Sequence, residues 1–215
     1  MSVRIHPTAH VELGVELGPG TSVWDHVHIR RDTHLGAECI VGGKTYIAYE
    51  VHIGNRVKIN ANVYICTAVT IEDGVMISAG TIFTNDRFPR ATTSDLKALR
   101  DSAPDEHTLP TVVRAGATIG AGCIIGNDLE IGRFAMVGMG SVITKTVSPF
   151  HLVLGHPARS VGCVCRCGEP LLKWTDDPAA DEREEISCSA CNLKYAIHGR
   201  EVTELTPPSE DGVVS

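Results

Sequence analysis

Branched aliphatic residues recur along the chain with a spacing of six. Val, Ile or Leu occupies every sixth position from Ile5 to Ile77, Phe83 follows, and the same register returns from Val113 to Ile143. A second series of mostly small or β-branched residues stands two positions before these aliphatic residues. Residues two apart face the same side of a β-strand, so each repeat predicts one short strand with two inward side chains. A period of six held over this length predicts a repeat fold.

Gly, Asp or Asn recurs between the strands, as at Gly36, Gly54 and Gly132, where the chain is expected to bend. Three such strands form a triangular coil, and stacked coils pair the backbone groups of the inner coils. This hexapeptide pattern resembles that of the left-handed parallel β-helix family. The left hand rests on the resemblance, because parallel crossovers in general are right-handed. We therefore expect an all-β prism of about six to seven coils, roughly 30 Å tall at the spacing of parallel strands.

The six-residue register fails twice. From Thr84 to Val112 the sequence is polar and contains three prolines, which predicts a loop that leaves the prism. Long loops on a rigid scaffold often carry function, and a disordered surface excursion is the alternative. The second failure begins after Val147. We predict three parts: a β-helix domain over residues 1–160 with the loop 84–112 inserted, a cysteine-rich zinc ribbon over 161–205, and a flexible tail over 206–215.

The net charge of −7 is concentrated after residue 160, where five Lys or Arg residues stand against eleven Asp or Glu residues. No basic field is available to hold a nucleic-acid backbone, so we expect no nucleic-acid partner. The acidic run from Asp176 to Glu185 is typical of a solvated loop. The sequence shows no charged and apolar leader and no apolar run of membrane length, which leads us to expect a cytoplasmic protein without a membrane partner.

Eight cysteines fall into two groups. Cys39 and Cys123 occupy inward positions of their repeats and are interpreted as small core residues, whereas Cys66 has no partner at metal-binding spacing. The remaining five are Cys163, Cys165, Cys167, Cys188 and Cys191. Pairs of cysteines some twenty residues apart are typical of a tetrahedral structural zinc site.

The four predicted zinc ligands are Cys165, Cys167, Cys188 and Cys191. Gly168 follows the first pair, and its missing side chain lets backbone amides turn toward the thiolates. A pair formed by Cys163 and Cys167 stays open as an alternative. Disulfides are the competing interpretation, but nothing in the sequence suggests export. A module this short is expected to need its metal in order to fold, and to cap the prism or add to an interface.

Residues eighteen apart lie above one another in a three-sided prism, so the outward side chains form columns. One column consists of His10, His28, Tyr46, Tyr64 and Ile82. The column on the adjacent face consists of Glu16, His34, His52 and Thr70. A stripe of His and Tyr is typical neither of a core nor of a fully solvated surface. It indicates packing between subunits, a ligand groove, or both.

Four segments resemble those of nucleotide-sugar 3-amino N-acetyltransferases, a group within the hexapeptide acyltransferases. The segments are Val23–Arg30, Asn55–Val63, Phe83–Arg90 and Leu154–Arg159. The resemblance implies acetyl transfer from acetyl-CoA to the primary amine of a UDP- or dTDP-linked amino sugar, for bacterial surface polysaccharides. The sugar would be of the 2-acetamido-3-amino-glucuronate or 3-amino-hexose type. The resemblance also implies a homotrimer of prisms with active sites between them, but it does not extend to the cysteine ribbon.

An amine must lose a proton when it attacks a thioester, and a positioned base normally takes that proton. The loop offers only His107, far along the chain from the segment 85–90, so the sequence identifies no general base. Positioning of a partly neutral amine could then supply much of the rate. The resemblance points to Asn85 as the residue that orients the amine or the tetrahedral oxyanion, with Asp86 as its nearest carboxylate partner. Backbone amides near Gly138 are candidates for binding the thioester carbonyl.

The predicted substrate-binding residues are His28, Arg30, Lys58, Asn60, Arg87 and Arg90. The fork of an arginine suits both a diphosphate and a sugar carboxylate. A solvated surface charge is the alternative for Lys58 and Arg87. The resemblance implies that coenzyme A lies along the later coils with its phosphates near Arg159. The predicted cofactor-binding residues are Gly138, Gly155, Pro157 and Arg159.

Two other functions are open. A carbonic-anhydrase-like zinc enzyme needs three convergent histidines and an open position for water. His34 and His52 stack, but no third histidine is evident. The second alternative is a non-catalytic assembly scaffold whose ribbon docks a partner. The polar segment at the root of the loop argues against a scaffold, and the fold alone selects no substrate.

Overall fold

The computed structural model describes residues 2–208 of the chain. The last seven residues of the predicted tail, 209–215, lie outside the described residues. The division into a β-helix domain, a ribbon and a tail stays a prediction.

Three parallel sheets form the faces of a triangular solenoid. The first face contains β1 (Arg4–Ile5), β4 (Ser22–Val23), β7 (Ile40–Val41), β10 (Lys58–Ile59), β13 (Met76–Ile77), β16 (Thr118–Ile119) and β19 (Met136–Val137). The second face contains β2 (His10–Val11), β5 (His28–Ile29), β8 (Tyr46–Ile47), β11 (Tyr64–Ile65), β14 (Ile82–Phe83), β17 (Ile124–Ile125) and β20 (Val142–Ile143). The third face contains β3 (Glu16–Leu17), β6 (His34–Leu35), β9 (His52–Ile53), β12 (Val69–Ile71), β15 (Thr111–Val113) and β18 (Leu129–Ile131).

Each coil visits the three faces in order, and before the loop strand partners are eighteen residues apart, as for Arg4 and Ser22. Six coils are complete, and a seventh begins with β19 and β20 and ends at the bridge between Val147 and Ile131. The predicted all-β solenoid is thereby confirmed. Its stacked parallel coils, with almost no helix, fit a left-handed β-helix.

The predicted aliphatic positions fill the interior of the solenoid. Ile29, Ile47 and Ile65 are fully buried, like most residues of their series. Burying an Ile or Leu side chain stabilises a fold by about 1.5–3 kcal/mol, and here the contribution repeats with every strand. Ile5 is 48% exposed because it belongs to the first coil, which has a neighbouring coil on one side only.

Buried threonines and cysteines share one inward position of the repeat. The Thr21 hydroxyl donates to the carbonyl oxygen of Gly36, fifteen residues later, at 2.8 Å. The Cys39 thiol donates to the Gly54 carbonyl at 3.1 Å, and the Cys123 thiol makes the equivalent bond. Both cysteines are buried, as predicted. They satisfy buried carbonyl groups in addition to filling space.

The glycines between strands serve two purposes, only one of which we expected. At some corners glycine makes the bend, as at Gly14 and Gly74, with φ values of 81° and 67°. After Gly36 and Gly54 the bend is made two residues later, where Glu38 and Arg56 have φ values of 59° and 54°. A Cβ atom on Gly36 would instead lie 2.6 Å from the Asn55 side chain and 2.8 Å from the Gly54 carbonyl carbon. Gly36 is therefore required because consecutive coils approach each other closely at this point.

The inserted loop leaves the prism after β14, at the corner between the second and third faces, and returns at β15. Its two ends pair with each other. The Arg87 amide donates to the His107 carbonyl at 3.1 Å, and Asp86 forms a bridge with Thr108. This pairing favours a defined loop over the alternative of a disordered excursion.

The chain after the prism begins with strands that extend the first face. They are β21 (His151–Gly155), β22 (Ala158–Val164) and β23 (Pro170–Lys173), of which β21 pairs with β19. A 3-10 helix (Pro178–Asp181) follows, and then an antiparallel sheet of β24 (Arg183–Ser187), β25 (Lys194–His198) and β26 (Glu201–Glu204). Phe150 at the prism packs against Tyr195 of β25, with ring centroids 5.6 Å apart.

The acidic run before β24 is not solvated throughout. The Asp181 side chain is fully buried and accepts a hydrogen bond from Arg200 Nε at 2.9 Å. Our expectation of a solvated loop was therefore wrong for Asp181, because the fold brings Arg200 from the next hairpin to neutralise it. Within residues 2–208, no helix has the length and apolar character that crossing a membrane requires.

Candidate active site and cysteine cluster

The predicted column of His and Tyr lies on the second face. Tyr46 and Tyr64 stack with ring centroids 5.4 Å apart, and His28 contacts the edge of Tyr46 at 5.3 Å. Arg30 Nη1 donates to the Tyr46 hydroxyl at 2.9 Å. Glu12 Oε1 lies 2.9 Å from His28 Nε2 and 2.6 Å from Arg30 Nε. These contacts hold both predicted substrate residues, His28 and Arg30, in place on this face.

A cavity of about 240 Å³ lies between this column and the returning loop. Among the residues that line it are Tyr46, Tyr64, Cys66, Asn85, Asp86, Arg90, Arg100, Asp101 and Asp105. The structure thus brings together three residues predicted from the sequence, namely Asn85, Asp86 and Arg90. It places a polar, charged cavity beside an aromatic wall.

Asn85 is held at both its backbone and its side chain. Its carbonyl oxygen accepts a hydrogen bond from the Leu109 amide at 2.8 Å, and its side-chain Nδ2 donates to the Thr67 carbonyl at 3.3 Å. The amide nitrogen carries a second hydrogen, so one donor stays available after this bond. Asp86 Oδ1 accepts the Phe88 amide at 2.9 Å. The two predicted catalytic residues therefore have fixed positions at the root of the loop.

The other predicted substrate residues lie outside this cavity. Lys58 is exposed on β10, which belongs to the first face, and Asn60 follows it at the corner. The Arg87 guanidinium lies 5.6 Å above the Phe88 ring. His28 and Arg30 reach the cavity only through their contacts with Tyr46. Substrate-binding roles for these five residues stay predictions.

Sequence reasoning missed several lining residues. Arg100, Asp101 and Asp105 lie in the far half of the loop, where the six-residue register gives no signal. Arg100 Nη1 donates to the Phe88 carbonyl at 3.1 Å, so it ties the two halves of the loop together. Cys66 also lines the cavity, and burial raises the pKa of its thiol to about 12.

A second cavity, of about 320 Å³, lies at the last coil of the prism. We call it the end pocket. Among its lining residues are Lys145, His151, Arg159 and Ser160. Of the four predicted cofactor residues, only Arg159 is among them.

The other three residues predicted to bind the cofactor do not line the end pocket, and their roles stay predictions. The Gly138 amide donates to the Val153 carbonyl at 2.9 Å, so this group is engaged in the sheet. The Gly155 amide donates to the Ser141 hydroxyl at 3.2 Å. Pro157 is exposed in the turn between β21 and β22. An amide that serves the thioester carbonyl would therefore have to come from a neighbour of Gly138.

Four cysteine side chains converge beside β25. The sulfur atoms of Cys165, Cys167, Cys188 and Cys191 all lie within 4.8 Å of one another. Two of the separations are 3.4 Å and 3.6 Å. Sulfur atoms at the corners of a tetrahedral zinc site are about 3.8 Å apart, given the usual zinc–sulfur distance. The donor set and its dimensions therefore fit a structural zinc ion.

Cys163 does not belong to this cluster. It is fully buried in the apolar core beneath the ribbon, and burial raises the pKa of its thiol to about 11. Burial also raises the pKa of the Cys188 thiol. Hydrogen bonds from the backbone amides of Cys191 and Ala190 and from the neighbouring cysteines outweigh this effect and lower the pKa of Cys188 to about 7. The pKa values of the Cys165, Cys167 and Cys191 thiols are raised, so thiol pKa does not select among the ligands. The geometry favours Cys165, whose sulfur lies in the cluster, over the alternative pair with Cys163.

One other group of metal-binding side chains is found among residues 2–208. It consists of His10, Glu12 and His28. Arg30 Nε lies 2.6 Å from Glu12 Oε1, and the Arg31 amide donates to Glu12 Oε2 at 3.0 Å, so the carboxylate already has partners. A trio of convergent histidines is not formed in the described part of the chain. This geometry does not support the carbonic-anhydrase-like alternative.

Residues 50–85 match the family model of the bacterial transferase hexapeptide, described as six repeats. This segment carries the bacterial transferase hexapeptide repeat. Over 69 residues, 32% of its length, it is 45% identical to the dTDP-3-amino-3,6-dideoxy-alpha-D-galactopyranose 3-N-acetyltransferase of Aneurinibacillus thermoaerophilus. Over 50 residues, 23% of its length, it is 46% identical to the serine acetyltransferase of Escherichia coli (strain K12). These matches span 35% and 18% of the two relatives.

The chain is also similar to a solved structure. That structure is a mutant of AntD, an N-acyltransferase from Bacillus cereus in complex with dTDP and coenzyme A. The TM-score is 0.51 and the identity 20%, over 76% of this chain and 82% of that chain. A likeness at this identity shows a shared fold.

Proposed function

We propose that this chain is an acyl-CoA-dependent N-acetyltransferase. It moves the acetyl group of acetyl-CoA to the amine of a UDP- or dTDP-linked amino sugar. The observation that carries the proposal is the cavity at the loop, which collects Asn85 and Asp86 beside the Tyr46 and Tyr64 wall. The local 45% identity to a dTDP-amino-sugar N-acetyltransferase supports the substrate class. A role in bacterial surface polysaccharides follows as part of the same proposal.

The cavity offers groups for each part of such an acceptor. Carboxylates of Asp86 and Asp101 attract the ammonium form of the amine and accept its protons. The guanidinium groups of Arg90 and Arg100 suit a diphosphate or a sugar carboxylate. The aromatic wall offers an apolar surface to a sugar or a base ring. A site with both signs of charge fits a ligand that is itself cationic at one end and anionic at the other.

The reaction needs no covalent intermediate on the protein. The amine lone pair attacks the thioester carbonyl carbon, a C–N bond forms, and the carbonyl oxygen becomes an oxyanion. The C–S bond then breaks, coenzyme A leaves as a thiolate, and the nitrogen proton passes to an acceptor such as Asp86. The second hydrogen of Asn85 Nδ2 stabilises the oxyanion, or Asn85 Oδ1 orients the amine by accepting a hydrogen bond from its N–H group. One such donor contributes about 10²–10³ in kcat in other acyl-transfer enzymes.

The end pocket is suited to the acyl donor. Lys145 and Arg159 supply positive charge there for the phosphates of coenzyme A. Lys145 follows β20 and Asn85 follows β14, at the same edge of the prism and two coils apart. Two coils correspond to about 10 Å at the spacing of parallel strands. We call the cavity beside the loop, which contains Asn85 and Asp86, the acceptor cavity. An extended cofactor held at the end pocket therefore runs toward the acceptor cavity along one edge.

The second face supports the proposal of a homotrimer. Tyr64, Ile82 and Ile124 follow one another in this column and are 44%, 43% and 41% exposed. A row of half-exposed apolar side chains on a flat sheet is typical of a surface that packs against another chain. Because the acceptor cavity opens beside this row, the neighbouring prism would complete its wall.

The cysteine cluster would hold zinc with a structural role. Four thiolate ligands close the coordination sphere, so the ion offers no position for water or substrate. Its binding free energy would instead stabilise the fold of the ribbon.

A thiol-release assay with acetyl-CoA tests the proposed function. It uses a panel of 3-amino and 4-amino UDP- and dTDP-sugars, with serine included because of the local match to serine acetyltransferase. We expect turnover with a nucleotide amino sugar and a loss of about 10²–10³ in kcat for Asn85→Ala. Asp95→Asn is the matched control, because Asp95 lies in the same loop but does not line the cavity. Turnover with serine but with no nucleotide amino sugar would overturn the proposal. So would the absence of turnover with every acceptor in the panel.

A further inference from the structure

A buried histidine connects the ribbon to the end pocket. His151 opens β21 and its ring lies between two hydrogen-bond partners. Nε2 lies 2.8 Å from the carbonyl oxygen of Arg200, and Nδ1 lies 2.8 Å from the hydroxyl oxygen of Ser160. Arg200 belongs to the ribbon, in the turn between β25 and β26, whereas Ser160 lines the end pocket. The imidazole is thus a direct hydrogen-bonded link between the two regions.

The two contacts fix the proton positions along this link. A carbonyl oxygen only accepts, so the Arg200 carbonyl places the single imidazole proton of His151 on Nε2. Nδ1 is then an acceptor, and the Ser160 hydroxyl donates to it. Burial lowers the pKa of His151, which keeps the ring neutral and preserves this arrangement. Trp174 Nε1 donates to the same Ser160 oxygen at 2.8 Å. With its proton and one lone pair engaged, Ser160 has only an accepting lone pair to present to a ligand.

The ribbon end of the link is itself tightly held. Arg200 Nε donates to the buried carboxylate of Asp181 at 2.9 Å, and Nη2 donates to the Thr175 carbonyl at 2.7 Å. The strand that leads to this turn, β25, begins at Lys194, close in sequence to Cys191, and its Tyr195 hydroxyl lies 3.1 Å from Cys165 Sγ. The cluster therefore anchors the start of the strand that leads to the Arg200 carbonyl.

We propose that the cysteine ribbon positions the acyl-donor site: through the Arg200 carbonyl and His151 it fixes the Ser160 hydroxyl as a hydrogen-bond acceptor in the end pocket. This inference rests on the proposed function for the identity of the ligand, which is coenzyme A. The phosphates contact Lys145 and Arg159, and an amide or amino N–H of coenzyme A donates to Ser160. His151 itself lines the end pocket, but both its ring nitrogens are engaged, so it is a positioning residue that acts on the ligand through Ser160.

The two sites must then influence each other reciprocally. If metal in the ribbon raises the affinity for coenzyme A, coenzyme A raises the affinity for the metal by the same factor. Variants of His151 break the link in two different ways. His151→Gln keeps a donor facing the Arg200 carbonyl but does not reach Ser160. His151→Asn keeps an acceptor near Ser160 but does not reach Arg200.

Calorimetric titration of coenzyme A into the zinc-loaded and the chelated, reduced full chain tests the proposal. We expect chelation to weaken binding at least about tenfold, equivalent to about 1.4 kcal/mol. In both His151 variants the zinc-loaded chain binds coenzyme A more weakly than the zinc-loaded wild type, and chelation changes that affinity less than about twofold. His198→Gln, an exposed histidine of the same ribbon, retains the tenfold response. Equal affinity of the zinc-loaded and chelated wild-type chain would overturn the inference.

A second measurement separates this inference from the proposed function. Nitrogen NMR shifts of the His151 ring report which nitrogen carries the proton, without any ligand. We expect a single Nε2–H form in the zinc-loaded chain and a mixture of both forms after chelation. If the zinc-loaded chain fails to bind coenzyme A, the proposed function fails. The nitrogen shifts of the His151 ring then decide whether the ribbon still fixes the proton position in the end pocket. An unchanged Nε2–H form after chelation would then refute the inference.

Discussion

Tyr46 and Tyr64 lie one above the other with their rings nearly parallel, at an interplanar angle of 7°. They are paired residues of β8 and β11, and the offset of eighteen residues from one to the other is one coil of the prism. Chemistry on the outside of this fold is therefore arranged by the same period that builds its core. The loop returns over this pair of tyrosines, and the acceptor cavity is the space between the loop and the pair.

The inward threonines provide a first prediction. The Thr33 hydroxyl donates to the Ala48 carbonyl at 2.7 Å inside the prism. Thr33→Val keeps the shape but leaves that carbonyl without this donor, which costs about 1–3 kcal/mol. We expect a lower midpoint of urea unfolding for Thr33→Val. The matched variant Cys39→Thr puts a hydroxyl where a thiol already donates, and its midpoint should stay close to that of the wild type. Equal midpoints for both variants would contradict this account.

The fold is predictable from the sequence because its information is local. Every strand repeats the same pattern of two inward residues. The period alone therefore specifies that each inward side chain packs against the one eighteen residues later in the sequence. Gly36 shows the limit of that reasoning. The sequence marks it as a small residue near a corner, but only the stacked coils show that the approach of Gly54 and Asn55 forbids a Cβ atom.

The residues of the site are predictable only where they adjoin the six-residue repeat or belong to a known motif. Asn85 and Asp86 are found because they stand at the point where the register fails. Arg100 and Asp105 are not, because their positions depend on how the loop folds back over the second face. The link from Arg200 to His151 joins residues 49 apart that share no repeat, so no pattern in the sequence indicates it.

The cysteine cluster leads to a prediction about metal content. We expect the purified chain to contain about one zinc ion per molecule, because four thiolates close one tetrahedral site. Cys188→Ser should lose most of that zinc, measured by atomic emission or by a chromogenic chelator. Cys163→Ala is the control, since Cys163 lies in the apolar core and not in the cluster. It should keep its zinc even if its thermal stability falls. Loss of zinc in Cys163→Ala would favour the alternative ligand set.

Arg100 is expected to bind the anionic part of the acceptor. Its guanidinium lines the cavity, 3.6 Å from Asp105 across the loop. A hydrogen bond to a charged group contributes about 1.5–3 kcal/mol, so Arg100→Ala should raise the KM for the sugar nucleotide about 10- to 100-fold. The change in kcat should be smaller, because the group acts on binding. Lys97→Ala removes an exposed cation of the same loop and should leave both constants unchanged. A wild-type KM for Arg100→Ala would exclude this role.

The buried imidazole of His151 predicts how stability depends on pH. Burial lowers the pKa of His151 below its ordinary value of about 6.5, so the unfolded chain binds this proton more tightly than the folded chain does. The stabilising effect is complete above the unfolded pKa and is lost as pH falls through the folded pKa. We therefore expect the melting temperature to fall as the pH decreases from 7 toward 5. His151→Gln removes the titrating group and should flatten that slope, whereas the exposed His198→Gln should retain it. A slope unchanged by His151→Gln would show that other groups cause the pH dependence.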